Sequence, residues 1–241
     1  MQTLEDAGVF SRRIQAMFNA VAPRYDFLNR FLSAGRDGYW RKKAVNLLSP
    51  RDNGFFLDVA TGTADMALEI ASRHAGLRVA GIDFSASMLE LGHRKIRSRG
   101  LEKKITLQAA CGENLPFAEG SFDGVVTAFG IRNFSDPARG LREMFRILKT
   151  KGRIVILEFS HPRNVLLAGL YRLYFHHILP RLGRLVSGHD NAYHYLPQSV
   201  SRFPARAEFA RTMSEAGFQE VTFEDLTCGI VTIYSGIKHG R

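Results

Sequence analysis

The sequence predicts an α/β protein of the doubly wound class, with seven mostly parallel strands and an antiparallel C-terminal hairpin. Three observations carry this. From Phe55 to Phe159 short apolar runs alternate with longer helical patterns, as in a parallel sheet covered by helices. The runs are apolar nearly throughout, which suits strands buried on both faces. A helix and two more strands follow the fifth run, which fits an edge hairpin better than a second nucleotide-binding half. At 241 residues the chain has the length of one large domain. We read residues 1–241 as that domain, with an N-terminal helical cap over 1–50 and a helical insertion or lid over 160–204.

The elements follow in order. In the cap, Phe10, Ile14, Met17, Phe18 and Val21 form one apolar stripe, and Trp40, Ala44, Leu47 and Leu48 a second. FFLDV, RVAGID, ITLQAA, FDGVVTAF and RIVILEF read as the five successive strands. Between them, Ala64 to His74 and Ala86 to Arg99 read as helices. Asp136-Pro137 starts another, with an acid at the N-cap and proline in the first turn. That helix sets Leu141, Met144, Phe145 and Leu148 on one face, and Lys151-Gly152 turns the chain into the fifth strand. After Phe159 the segment HPRNVLLAGLYRLYFHHILPRLGRLV has no strand alternation and no acid, and reads as a helix broken at Pro180. A helix from Ala205 to Ala216, a stop at Gly217, and strands over Val221–Leu226 and Ile230–Ile237 about a turn at Gly229 complete the chain.

Composition excludes several classes. With 45% hydrophobic and 23% charged residues the chain is an ordinary globular protein. Cys111 and Cys228 are its two cysteines, and neither belongs to a CxxC pair, so a disulfide framework and a zinc site are not expected. The opening MQTLEDAG lacks a basic leader and an apolar core, and no run reaches membrane-spanning length, so a cytoplasmic protein is expected. The formal charge of +10 favours an anionic surface, either nucleic acid or a membrane face. Solvated helix faces account for such scattered charge equally well.

The loops after the strands carry the chemistry. In open α/β sheets ligands sit beyond the C-terminal strand ends, where strand order reverses. The first strand ends in Asp58-Val59-Ala60-Thr61-Gly62-Thr63-Ala64-Asp65, where Gly62 lets backbone approach a ligand and a helix start offers unpaired amides. The second ends in Gly81-Ile82-Asp83, whose acid can accept two hydrogen bonds from a ribose diol. The first loop lacks GxGxxG and so lacks a cradle for the pyrophosphate of a nicotinamide cofactor. A sulfonium cofactor has no pyrophosphate. Its ammonium and carboxylate suit Asp58, Asp65 and the helix start, which points to S-adenosylmethionine.

The segments DVATGTADMALEIA, GIDFSASMLELG, AFGIRN, LEFSHP, RYDFLN and IVTIYSGIK, in this order apart from the N-terminal RYDFLN, resemble the ubiquinone and menaquinone biosynthesis C-methyltransferase family, and the likeness runs nearly end to end. The resemblance implies a Rossmann-like class I methyltransferase fold, and methyl transfer from S-adenosylmethionine to a ring carbon of a polyprenylated quinol. It implies that Asp83 holds the ribose, that the turn at Gly62 meets the methionine portion, and that Tyr25 and Asp26 help close the pocket. Thr61 and Ala64 depart from the family pattern, which carries glycine at both positions. Cys111 departs too, standing where relatives place aspartate or asparagine beside the adenine. A thiol is a poor acceptor for the adenine amine, so Cys111 is expected to give apolar contact and Gly112 close packing.

An ionised hydroquinone places charge on the ring carbon that attacks the methyl, so the protein must align the reactants, stabilise a phenolate and exclude water. Arg132 and Asn133, after the fourth strand, are the expected catalytic and substrate residues. The alternative for Arg132 is a structural ion pair with Asp136 or Glu158. His161, at the end of LEFSH, suits a proton relay, and Tyr195 is a further substrate contact expected from the resemblance. In the insertion, Leu166, Leu170, Phe175 and Leu182 beside Arg163, Arg172 and Arg181 suit a prenyl tail and an anionic membrane, or else a lid or homodimer contact. His176 and His177 lack nearby acids and are not expected to hold a metal. The rivals are a methyltransferase for another small molecule or RNA, and a non-catalytic binding protein. No nucleic-acid partner is expected, because no added RNA-binding module is evident.

Overall fold

A computed structural model describes residues 4–163, 169 and 190–240. Three helices come first: α1 (Leu4–Val21), α2 (Tyr25–Leu32) and α3 (Asp37–Leu48). The sheet then alternates with helices through β1 (Phe55–Val59), α4 (Asp65–Ala71), β2 (Arg78–Asp83), α5 (Ala86–Ser98), β3 (Ile105–Ala109), β4 (Phe122–Ala128), α6 (Pro137–Ile147) and β5 (Leu148–Phe159). It closes with α7 (Asp190–Arg202), α8 (Arg206–Glu215), β6 (Gln219–Leu226) and β7 (Val231–Ile237). The seven strands lie in the order β3-β2-β1-β4-β5-β7-β6, and β7 runs against both of its neighbours. The strand order reverses between β1 and β4, and the sheet is the mostly parallel, hairpin-closed one that the sequence predicts.

Burial on both faces explains why the central runs form strands. On β4 and β5, Val125, Ile154 and Ile156 join Leu141, Met144, Phe209 and Met213 on one side of the sheet. Their neighbours Val126, Val155 and Leu157 join Trp40, Ala44 and Leu48 on the other. Successive side chains leave opposite faces, so an unbroken apolar run is what two helical layers require. The second cap stripe supplies part of one layer through α3. Its Trp40 is buried and donates to Thr227 Oγ1 at 2.7 Å, while Leu47 accepts from Arg153 through its carbonyl at 2.7 Å. As expected, the Asp136 side chain caps α6 by accepting from Arg139 N at 2.9 Å.

Element ends differ from the sequence reading for local reasons. The helix expected over Ala64–His74 spans only Asp65–Ala71, because Ala64 adopts a left-handed conformation (φ 68°) outside it. β4 stops at Ala128, since Phe129 turns to φ 57°. β5 begins five residues earlier than Arg153: the chain stays extended through an irregularity at the β4 pairing, with Lys151 at φ 66° and its amide on Lys238 O at 2.6 Å. α2 was not legible as a separate helix, because Phe27 and Phe31 point outward and break the apolar stripe. The greater part of the insertion, including Leu166, Leu170, Phe175, His176, His177, Pro180 and Leu182, lies outside the described residues. Among the described residues no helix is long and apolar enough to cross a membrane.

Candidate active site

A cavity of about 200 Å³ opens beyond the ends of β1, β2 and β4, where the strand order reverses. Of the residues expected there, Tyr25, Gly62, Asp83, Cys111, Gly112 and Asn133 line it. Asp83 is 7% exposed; its Oδ2 accepts from Gly62 N and its Oδ1 from Ser85 N, each at 2.8 Å. Burial pushes this carboxyl above the ordinary range, and the amides pull it back. Two bonds leave lone pairs on both oxygens for further donors. Gly62 sits at φ 55°, and a Cβ there would lie 3.8 Å from the Tyr25 ring, so the turn passes directly beneath that side chain. Burial also raises the Tyr25 phenol, which therefore stays protonated at neutral pH.

Asp58, Thr61 and Asp65 stand behind this surface, outside the cavity lining. Asp58 is 1% exposed and accepts from Thr61 Oγ1 at 2.5 Å and from Ala67 N at 3.1 Å, so it ties the loop to the start of α4. Desolvation pushes it up to about 7. Asp65 pairs with Lys95 at 2.6 Å and Arg41 at 3.5 Å. Lys95 also reaches Asp26 at 2.6 Å and Thr63 Oγ1 at 2.9 Å, and Thr63 donates to Asp26 at 2.6 Å. One ammonium thus joins α2, the first loop and α5.

The third loop is built on Glu113. Its Oε1 accepts from Ser135 N, Ser135 Oγ and Asp136 N, while Oε2 accepts from the Cys111 thiol at 2.7 Å. Burial and the Glu113 carboxylate push that thiol up to about 11, which removes it as a nucleophile. Gly112 is required by packing: an added Cβ would meet Phe134 Cζ at 2.2 Å.

The opposite rim holds Asn133, whose Oδ1 accepts from the Tyr195 hydroxyl at 2.9 Å and whose Nδ2 donates to Phe129 O at 3.4 Å. Two residues expected at the substrate and far apart in sequence therefore meet. Burial raises the Tyr195 phenol, so it remains a donor. Arg132 lies elsewhere than expected. Its side chain is 7% exposed and outside the lining, paired with fully buried Glu158 at 2.8 Å, bonded to Phe129 O and to Ser199 Oγ at 3.3 Å, and set over the Phe159 ring. Of its two alternative partners Glu158 is the one it meets; Asp136 lies near Arg142 instead, at 3.9 Å. Burial pushes the Glu158 carboxyl up, and Arg132 opposes that rise. His161 is exposed and outside the lining, with its carbonyl on Arg206.

Sequence reasoning passed over Arg12, Gln15 and Phe18 of α1, which line the cavity, with Gln15 donating to Phe84 O. It also passed over Glu113 as an organiser. An acid between two loop segments rich in unpaired amides was the available signal.

Comparison with known proteins decides the family. Residues 6–238 match the model of the ubiE/COQ5 methyltransferase family. The chain belongs to the ubiE/COQ5 methyltransferase family. A Geotalea daltonii family member called ubiquinone/menaquinone biosynthesis C-methyltransferase UbiE is 51% identical, across 94% of this chain and 96% of its own. A Thermus thermophilus demethylmenaquinone methyltransferase is 46% identical, across 91% and 99%. In fold, this ubiE/COQ5 member is similar to the (4+2)-cyclase SpnF, with TM-score 0.73, 17% identity and coverage of 96% and 97%. It is also similar to an S-adenosylmethionine-dependent methyltransferase from Aquifex aeolicus, with TM-score 0.60, 15% identity and coverage of 82% and 88%. Membership of the ubiE/COQ5 family makes the chain a C-methyltransferase and implies S-adenosylmethionine as its methyl donor.

Proposed function

We propose that this quinone C-methyltransferase acts on a polyprenylated demethylmenaquinol, with S-adenosylmethionine held on the Asp83 side of the cleft. The observation that carries the proposal is the unlike chemistry of the two rims: a buried carboxylate and a glycine turn on one, a neutral amide and phenol on the other. The bound donor supplies an electrophilic sulfonium methyl. Asp83 accepts from the ribose hydroxyls, and Gly62 leaves room for close backbone approach. Tyr25 covers the turn and excludes water. Cys111 and Gly112 offer an apolar, closely packed wall to the adenine, because the thiol is already given to Glu113.

On the acceptor rim, Tyr195 fixes the Asn133 amide by donating to its oxygen, and with one Nδ2 hydrogen on Phe129 O the second is left to meet the phenolate oxygen as charge develops there. Arg132 serves them as a positioning residue. It pins the Phe129 carbonyl and reaches α7 through Ser199, and so sets the loop that carries Asn133. A benzoquinol precursor of ubiquinone presents the same ionisable hydroxyl and prenyl tail and is the second acceptor to test.

The deciding assay sets reduced demethylmenaquinol beside reduced prenyl-benzoquinol in detergent with labelled S-adenosylmethionine, with mass spectrometry of the lipid. Methylation of the naphthoquinol is expected, and transfer only to the benzoquinol overturns the preference. Calorimetry supplies the donor side: Asp83→Ala raises the cofactor dissociation constant about tenfold to a hundredfold, the range for losing charge-assisted hydrogen bonds. An unchanged constant removes Asp83 from the ribose.

A further inference from the structure

α2 has an outward face that the cleft does not use. Tyr25 and Leu28 turn inward, whereas Phe27 and Phe31 are 60% and 51% exposed, one helical turn apart, with their rings stacked at 6.0 Å. Tyr39, at the start of α3, is exposed as well. The same stretch exposes Arg30, Arg36, Lys42 and Lys43. Its two acids are paired: Asp26, partly exposed, is held by Lys95 and Thr63, and Asp37 is buried against Arg41 and Ser33. The stretch over residues 26–43 is therefore aromatic and cationic on its exposed side chains, with both of its carboxylates paired locally.

Scattered exposed apolar residues need no explanation, but a stacked, exposed phenyl pair in a stretch that also exposes Tyr39 and four cations matches the interfacial pattern of proteins that rest on lipid. Phenyl rings carry no polar tip, and their mutual stacking leaves them unsplayed for intercalating bases, which favours lipid over nucleic acid. Charge complementarity selects an anionic headgroup layer. We propose that the outer face of α2 and the first turns of α3 dock on a bilayer carrying anionic lipid, and that docking holds the cleft beside the membrane from which its prenylated acceptor enters. Tyr25 links the two, since it lines the cleft from the same helix. The purpose of docking rests on the quinol reading; the docking itself does not.

The full chain is sedimented with vesicles of phosphatidylglycerol and phosphatidylcholine, and with phosphatidylcholine alone. Binding to the anionic vesicles that weakens with salt is expected. Phe27→Ser with Phe31→Ser lowers the partition coefficient at least about tenfold, and Lys42→Gln with Lys43→Gln lowers it roughly thirtyfold at low salt. Circular dichroism melts check that each variant is folded. Failure of the parent chain to bind, or phenylalanine variants that bind as the parent does, overturns the proposal. A Phe31→Trp reporter read against buried Trp40 identifies the alternatives. Emission that shifts blue and loses iodide quenching only with anionic vesicles supports docking. Shielding without vesicles overturns it, in favour of a second copy when shielding grows with protein concentration and of the chain's own residues when it does not. Tight RNA binding that needs Phe27 and Phe31 overturns it in favour of nucleic acid. Turnover of a tail-less quinol in solution is unchanged in the phenylalanine variants. If the parent methylates no quinol yet binds the vesicles, the quinol reading fails and the docking surface stands.

Discussion

The two rims of the cleft are held in different ways. On the donor rim, carboxylates at the ends of adjacent strands collect backbone amides: Asp83 takes those of Gly62 and Ser85, Asp58 that of Ala67. On the acceptor rim, one buried ion pair, Arg132 with Glu158, does the holding, and Asn133 leans on a phenol from α7. Amide-to-carboxylate bonds are spread over several residues and survive the loss of one. An ion pair with one member fully buried and the other 7% exposed concentrates its risk, because either partner alone is an uncompensated charge.

The strongest test of that contrast is Glu158→Ala. Stranding Arg132 should cost about 3–5 kcal/mol of unfolding free energy, measured by urea denaturation, with methyl transfer falling in parallel. A loss under about 1 kcal/mol would mean that the pair does not carry the rim.

Next comes the pH dependence of the donor rim. Asp58 moves from 3.8 to about 7 on folding, so between these values the folded chain binds the extra proton. Stability is then greatest toward the acid end of this window and falls as pH rises toward about 7, by up to about 4 kcal/mol for a shift of three units. Glu158 is raised as well and adds slope of the same sign. Asp58→Asn should flatten most of the decline in denaturation midpoints between pH 5 and pH 7. An unaltered slope assigns the decline to other groups.

Smaller effects sharpen the picture. Tyr195→Phe removes one hydrogen bond from Asn133, worth about 1 kcal/mol, so acceptor turnover should fall about fivefold while cofactor affinity holds. Equal loss of both places α7 in the donor site. Ala64→Gly is expected to be nearly neutral. Relief of a left-handed alanine, about 1 kcal/mol, is offset by the loss of a buried methyl, about 0.8 kcal/mol. A shift beyond 1 kcal/mol in thermal denaturation would show that one of these two terms has been misjudged.

What was legible in the sequence was what local pattern determines. Alternation of apolar runs predicted the first five strands and the closing hairpin, and strand-end acids and glycines predicted Asp83 and Gly62. Positions set by distant partners were not legible. The sequence offered Arg132 either the acceptor or an ion pair with Asp136 or Glu158, but with Glu158 26 residues away local pattern could not choose between them. Asp65 was expected at the ligand for the same reason, since its Lys95 lies 30 residues on. Ala64 illustrates a third limit: a helix that hydropathy extends to it begins one residue later, because backbone handedness at a single turn is invisible to side-chain periodicity.

The Lys95 ammonium gives the cleft a shared fastening. α2 cannot swing away from the first loop without stripping Asp26 from Lys95 and leaving the Thr63 hydroxyl without its acceptor, so door and floor must loosen in one cooperative event. Because Asp26 and Lys95 are both partly in contact with water, dissolved ions weaken this fastening before they reach the buried Arg132 pair. Ionic strength thereby acts first on the α2 side of the cavity, while the Arg132 side keeps its shape.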